Sequence, residues 1–458
     1  MTITKTCQVA RGLFIMAAAL MFGAAVSTHA SDIAEQTEAA LTEIYRLVAQ
    51  REFGAAVALF DEIDEDTAEI RLIRASILNS AGRTAEARAI ASGVVAEDPR
   101  NVDALMVLAA SALVEGRDRE QRGFLEQALR VEPGNTQVLS ELGYVSLRAR
   151  SLRAAADHFD RALAVDPDFP QALLGRAIVY RYNRNPRRAE QLLNQAIEQN
   201  PGWAEAYHER ARLYRGAGFR QDALNDLDEA RRLEPHNHWI SVDRGITLME
   251  MGFRQEALEE FDRSIALSPN NFLAHVHRAS IREAAGDLAG AAQDYQTLMR
   301  LRPDYFFAAE GLGTIRMKEG RHMEARDAFL AAYRHAPREF RYALLAAANW
   351  MRGGQPADPR QFLAQVIRTA ERDSPEWLLL RMYHDLSSSS DVVARIRREP
   401  NLDARAMMLF YLALYYDVRG NTNLANNFFM QVHEMGRRGT VEWNLTEWIV
   451  EQRDLGLR

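Results

Sequence analysis

Apolar residues recur at three- and four-residue spacing through most of this chain; Leu139, Leu142 and Val145 mark one such helical face. The faces come in short runs, grouped in pairs, and the pairs repeat. Eight prolines, Pro99, Pro133, Pro167, Pro201, Pro235, Pro269, Pro303 and Pro337, stand 34 residues apart. With each proline set at position 32, units begin at Ala68, Val102, Thr136, Pro170, Ala204, His238, Phe272 and Phe306. Position 8 is then always Ala or Gly, from Ala75 to Gly313. Position 20 is Ala everywhere except Gln121. Position 24 is mostly large, as in Leu125, Phe159, Phe261, Tyr295 and Phe329, with Ala91 the smallest. Gly holds position 15 at Gly82, Gly116, Gly218, Gly252, Gly286 and Gly320.

Each choice has a physical reason within a helix–turn–helix. Two helices approach closely only where side chains are small, which positions 8 and 20 supply. Gly near position 15 permits the left-handed backbone that ends the first helix. The proline cannot continue the second helix. An internal period of this length replaces any domain count drawn from chain length.

The joint pattern resembles the tetratricopeptide repeat, whose marks are W-x2-L-G-x2-Y, then A-x3-F, then P. Leu142-Gly143, Ala155, Phe159 and Pro167 match it in one unit; Tyr180 and Tyr214 match its tyrosine in the next two; the aromatic first mark is nearly lost, with Tyr207 the nearest. The resemblance covers 68–339 as eight in-register units. It implies an all-α, right-handed α-solenoid, a superhelix of helix-turn-helix hairpins.

The ends are less regular. Residues 31–67 hold helical stretches around Ile33–Gln50 and Phe53–Ile63 and read as a divergent first hairpin. The segment 340–405 reads as irregular, expanded units: Gly354 keeps the turn position, Pro356 and Pro359 lengthen the turn, Pro375 comes late, and Ser387 to Ser390 read as a loop. Register returns over 406–439, where Leu409, Leu412, Ala413, Tyr416, Gly420, Ala425 and Phe429 fall in place. In the last segment, 440–458, Val441, Leu445, Trp448 and Ile449 share a face, as a capping helix of a solenoid needs; Trp443 belongs to the same cap.

Residues 1–30 change the compartment expected. Lys5 and Arg11 precede an apolar run from Gly12 to Val26, and Thr28-His29-Ala30 offers a small-residue cleavage pattern before Ser31. This is the plan of a secretory signal peptide, cleaved after Ala30, and it predicts a periplasmic or secreted protein; the competing reading is an uncleaved anchor. Cys7, the only cysteine, would leave with it, so the mature chain would have no disulfide, thiol nucleophile or cysteine-ligated metal. Residues 1–30 hold two basic and no acidic residues, so their loss takes the formal charge from −7 to −9. No large basic block argues for nucleic acid, and no apolar run reaches the length of a membrane span. Only Lys5 and Lys318 are lysines; every other basic residue is Arg.

The helical hairpins consume 32–454 and leave no room for a separate catalytic domain. Metalloprotease, phosphate-loop, nucleophile-elbow and dinucleotide fingerprints are all missing from the sequence. The chain therefore reads as a non-enzyme without a cofactor. The pairs His236/His238 and His275/His277 lack the converging spacing of a metal site. Position 7 is Arg in five units, and three of those carry an acid at position 23. Arg210–Asp226, Arg244–Glu260 and Arg278–Asp294 are therefore read as structural ion pairs within units.

The resemblance further implies that first helices line a concave groove through positions 2, 5, 9, 12 and 13. The peptide-groove candidates are Tyr144, Arg148, Arg181, Tyr182, His208, Arg212, Arg215, Trp239, Ile246 and Met249, with Leu147, Leu174, Ile178 and Val242 among them. Two family specialisations do not fit. The chaperone-tail clamp needs basic residues at position 5 and Asn at position 9; the asparagine ladder needs Asn at position 6, where this chain has Glu141, Glu209 and Asp243. The leading expectation is an exported scaffold holding a protein or extended peptide, within a cell-envelope assembly. Its alternatives are an accessory subunit of a cell-wall or polysaccharide enzyme or export system, and a direct polysaccharide binder stacking sugars on Tyr144, Tyr182 and Trp239.

Overall fold

A computed structural model describes residues 28–63, 66–353, 359–386 and 389–455 of the protein. Among these residues there are 25 helices in consecutive pairs and no strands. The fold is an all-α solenoid of the expected class. Residues 1–27, nearly all of the expected signal peptide, lie outside the described residues, as do Gly354, Pro356, Ser387 and Ser388.

The helices divide into two compact units, residues up to Pro235 and residues from His236. In the first unit α1 (Thr28–Ala49) and α2 (Phe53–Ala58), with a 3-10 turn over Leu59–Glu62, form the divergent hairpin. Regular hairpins follow: α3 (Ala68–Ser80) and α4 (Thr84–Glu97), α5 (Val102–Val114) and α6 (Asp118–Val131), α7 (Thr136–Arg148) and α8 (Leu152–Val165), α9 (Pro170–Tyr182) and α10 (Pro186–Gln199), α11 (Ala204–Ala217) and α12 (Arg220–Leu233). First helices run side by side, α3 against α5 and α7 against α9.

The second unit continues the hairpins with α13 (His238–Met251) and α14 (Arg254–Leu267), α15 (Phe272–Ala284) and α16 (Leu288–Leu301), α17 (Phe306–Lys318) and α18 (His322–His335). The segment read as irregular resolves into two more hairpins: α19 (Phe340–Arg352) with α20 (Arg360–Ile367), and α21 (Pro375–Asp385) with α22 (Ser390–Arg398). Their second helices have only 8 and 9 residues, against 14 in the regular hairpins. The short partners let α19, α21 and α23 (Leu402–Val418) all touch one another. Tyr411 is fully buried there, its hydroxyl donating to Arg341 O at 3.3 Å and to Glu442 at 3.1 Å. Helix α23 starts at Leu402, four residues before the expected unit boundary, because Asn401 caps it by accepting from the Asp403 and Ala404 N–H groups. Helix α24 (Thr422–Met435) pairs with it, and α25 (Val441–Gln452) covers the end, burying Val441, Leu445 and Ile449.

The repeat positions show why these residues form hairpins. The alanines at position 20 are fully buried, from Ala87 to Ala325. All six glycines at position 15 have positive φ. The two units without Gly there adopt the same left-handed backbone with Arg150 (φ 59°) and Arg184 (φ 56°), so the fold imposes the turn and the residue tolerates it. Where position 8 is Gly, a phenylalanine ring at position 24 fills the space. An added Cβ would lie 2.5 Å from Phe159 at Gly143, and 2.8 Å from Phe261 at Gly245 and from Phe329 at Gly313. A further regularity lies just after the proline: Asn101, Asn135, Asn237 and Asn271 cap the helix that follows, each side-chain oxygen accepting a backbone N–H.

Candidate functional site: the faces of the first helices

In the first unit, two of the expected groove residues converge on one carboxylate. Arg181, at the end of α9, donates to Glu209 at 3.2 Å, and Arg212, one turn along α11, donates to it at 2.6 Å. The 28-residue offset between Arg181 and Glu209 is one repeat less six residues, and the bond joins adjacent first helices. Burial pushes the Glu209 carboxyl up, but Arg212, Arg181 and the neighbouring His208 outweigh it, so the group is held below the ordinary carboxylate range. The Arg181 guanidinium also lies over the Tyr182 ring, 4.8 Å from its centroid. Arg181, Tyr182, Arg212 and Arg215 are all half-buried. The cluster is a carboxylate flanked by two guanidiniums, so its positive charge is smaller than the arginines alone suggest. Glu209 was visible in the sequence as an acid three residues before Arg212, yet its role depends on Arg181 from the preceding repeat.

Two expected groove residues need correction. Tyr144 is buried in the core of its hairpin; its ring meets Phe159 edge-on at 5.2 Å and its hydroxyl donates to Gln171 O at 2.9 Å. His208 is also buried. Leu147, Leu174 and Ile178 are likewise core residues. The reason is common to all: neighbouring first helices pack closely enough to enclose inward-pointing side chains at the middle of each helix. Arg148 is half-buried and bonded to the Gln121 carboxamide, and burial lowers its pKa.

In the second unit, Trp239, Ile246 and Met249 lie half-buried on α13, with the Trp239 ring 5.0 Å from that of His238. Val242 is buried. The histidine pairs are used locally. His275 is buried between Asp294 (2.7 Å) and Pro269 O (3.0 Å), His238 meets Asn271 at 2.8 Å, and His277 stacks on Phe261. Among the described residues no group of three or more His, Cys, Asp or Glu is placed to hold a metal ion.

The position 7 arginines sit away from this face, between first and second helices. Arg210 donates two bonds to Asp226, at 2.7 and 2.8 Å; Arg244 donates to Glu260 at 2.7 Å; Arg278 donates to Asp294 at 2.6 Å. The sequence pattern missed a second partner, at position 25 of the preceding repeat. Arg176 bonds Asp160 at 2.7 Å, Arg210 bonds Asn194 at 2.7 Å and Arg278 bonds Asp262 at 2.6 Å. Arg210 and Arg278 therefore tie their hairpins to the one before as well as closing their own, and Arg176 makes the tie to the preceding hairpin. Around Arg210 the network includes Tyr214, whose hydroxyl donates to Glu190 at 2.8 Å; burial first and that carboxylate second push its pKa up to about 12.

Among the described residues no helix is long and apolar enough to cross a membrane. No curated protein matches the chain in sequence. Solved structures similar to it include Pseudomonas aeruginosa pilF, at 18% identity over 45% of this chain and 94% of that one, with a TM-score of 0.41. Another is PilW, described as a widely conserved type IV pilus biogenesis factor, at 20% identity over 46% and 98%, TM-score 0.40. A tetratricopeptide repeat protein from Parabacteroides merdae is similar at 20% identity over 54% and 98%, TM-score 0.38. The family model for the ETO1 C-terminal domain matches residues 71–315. That match spans more than half of the chain and coincides with the 34-residue hairpins built above, so the chain belongs to the ETO1 C-terminal domain family and is a tetratricopeptide-repeat protein.

Proposed function

We propose that this protein is a non-catalytic scaffold that holds an extended segment of a partner protein along the face of its first helices. The observation that carries the reading is the half-buried cluster of Arg181, Tyr182 and Arg212 at Glu209, with Arg215 half-buried on the same helix as Arg212. Arginine and tyrosine in partly desolvated positions are the commonest anchors of protein interfaces. Two guanidiniums, Arg181 and Arg212, meet at the one Glu209 carboxylate, so an acidic or carboxylate-bearing segment is the partner this reading assigns. The signal-like start of the chain makes export, and work within a cell-envelope assembly, the setting of this proposal. Burial of Tyr144 removes one of the three rings that a direct polysaccharide binder would use.

The test follows from the cluster's chemistry. Replacing Arg181, Arg212 and Arg215 by Ala would strand a buried Glu209, so Glu209→Gln is added to the same variant. Capture of the native partner should fall and lose its salt sensitivity, with helical circular dichroism unchanged. A folded variant that captures the partner as well as wild type refutes the site. Amino-terminal sequencing of native protein should begin near Ser31; a mature form that keeps Met1 refutes export by a cleaved signal.

A further inference from the structure

The second unit carries a different binding chemistry from the arginine cluster. A cavity of about 270 Å3 opens on the first-helix face of α15 and α17, with the start of α25 as its far wall. Its lining includes Val276, Glu283, Tyr305, Phe307, Glu310 and Val441. Two carboxylates therefore line a hollow whose walls are part polar and part apolar. Each is held by a tyrosine: Tyr295 donates to Glu283 at 2.7 Å and Tyr342 donates to Glu310 at 2.5 Å. Among the described residues neither carboxylate is in an ion pair. Arg341 acts on Glu310 from a distance, but its guanidinium is bonded to Glu339 at 2.6 Å, and Glu442 adds further negative charge nearby. Arg282 is drawn to Asp294 and Arg302 lies over Phe272. Among the described residues no basic side chain lines the cavity.

Burial supports the same picture: it pushes the Glu310 carboxyl up, and the Tyr342 hydrogen bond offsets this only in part. A carboxylate held in such a place gains from an incoming cation. At the mouth, Phe307 is 53% exposed, and the rings of Tyr305 and Phe307 stand 5.6 Å apart at 57°. An aromatic rim with carboxylates behind it suits a guanidinium, which takes charge-assisted bonds at its edge and ring contacts on its faces. The cavity is smaller than the roughly 300–1,000 Å3 of drug-sized ligand sites, which favours one side chain over a whole metabolite.

We propose that this acidic, aromatic-rimmed cavity receives an arginine side chain of a basic segment in a partner protein, with Phe307 supporting the residues beside it. The inference rests on the reading that first-helix faces take partner segments, but it concerns a second site with the opposite charge preference.

The probes are a fluorescent arginine–alanine peptide and the same peptide with citrulline, a neutral isostere, in place of arginine. Binding is read by anisotropy on the full chain. Wild type should prefer the arginine peptide by about tenfold, the worth of one charge-assisted bond. Glu283→Gln with Glu310→Gln keeps acceptors for both tyrosines but removes the charge, and should abolish the preference. Phe307→Ala, at an exposed position, should weaken both peptides without changing the fold. Equal binding of the two peptides by wild type, or a preference that survives the double substitution, overturns the proposal. Spermidine that binds as tightly as the arginine peptide overturns the peptide occupant in favour of a free polycation. An acidic peptide, tested on the same samples, should respond to the Arg181–Arg212–Arg215 variant and not to the glutamine pair. Its result therefore separates failure of this cavity from failure of the scaffold reading.

Discussion

Gly143→Ala places the geometry of the hairpin under direct test. The new Cβ would lie 2.5, 2.6 and 2.8 Å from three atoms of the Phe159 ring. The ring is fully buried and has little room to retreat, because Gly175 on the next first helix also approaches it, where an added Cβ would come within 2.2 Å. Overpacking of this kind costs about 1–3 kcal/mol. The gain in helix propensity from Gly to Ala, about 1 kcal/mol, offsets part of it. The net loss expected is about 1–2 kcal/mol. Phe159→Leu alone leaves a small cavity, at a cost of similar size. The double variant should be no less stable than Phe159→Leu, because the methyl occupies space that the ring has left. The chain already contains this alternative: Ala109 with Leu125, Ala177 with Leu193 and Ala211 with Leu227 hold the same two positions. Urea denaturation gives the global effect, and amide hydrogen exchange in α7, α8 and α9 gives the local one. The coupling energy from the double-mutant cycle should exceed about 1 kcal/mol. Additive losses, within about 0.3–0.5 kcal/mol, would show that the ring and the glycine do not share one space and that the register is wrong.

Other substitutions examine the turns, the struts and the cap. Arg150→Gly and Arg184→Gly should each raise the denaturation midpoint, by up to about 1 kcal/mol, since an L-residue in the left-handed region costs about 1–2 kcal/mol and Gly gives part back through unfolded-state entropy; a fall in the midpoint refutes this. Burial acts to raise the Asp294 carboxyl's pKa, but His275, Arg278 and Arg282 outweigh it and hold the group below its ordinary 3.8. The stability it supplies is therefore complete above that value and is lost as pH falls through the lowered one; acid titration of Asp294→Asn should lack that loss, and an unchanged acid profile refutes the assignment. Asp417 receives Arg453 at 2.8 Å and also Arg352; Asp417→Ala should cost about 2–3 kcal/mol by leaving two partly buried guanidiniums unpaired, and should release exchange protection in α25 first, whereas uniform loss along the chain would refute a local cap.

Much of the fold was legible because the constraints act within a single repeat. The proline, the two small positions and the turn glycine each answer to atoms fewer than 34 residues away, so a period in the sequence reports them directly. Arg210 and Asp226 were readable for the same reason: 16 residues separate them within one hairpin. Contacts between repeats were less legible. Asn194 and Asp262 bond arginines of the next hairpin, and Glu209 joins Arg181 across the α9–α11 contact; each makes sense only once adjacent units are stacked. The same stacking explains Tyr144. Counting positions assigns it to the groove, while the close approach of α9 draws its hydroxyl onto Gln171 O and its ring packs on Phe159 of its own hairpin.

This difference between local and stacked constraints bears on where function resides. Positions that obey the period are committed to packing: the alanines at position 20 are fully buried and carry no polar group. Positions that break the period without harm to the fold are free to differ in chemistry from one hairpin to the next. Position 6 holds Glu209 in one repeat, His277 in another and Gly311 in a third. The consequences differ accordingly: Glu209 gathers two arginines, His277 stacks on Phe261, and Gly311 makes room for Tyr295, whose hydroxyl holds Glu283 at the acidic cavity. A Cβ at Gly311 would come within 2.5 Å of the Tyr295 ring, so this single small residue permits the tyrosine that orients a carboxylate. One frame thus supports an arginine-rich patch in one unit and an acidic, aromatic hollow in the other. The substitutions that create both lie at positions where the repeat itself imposes no choice.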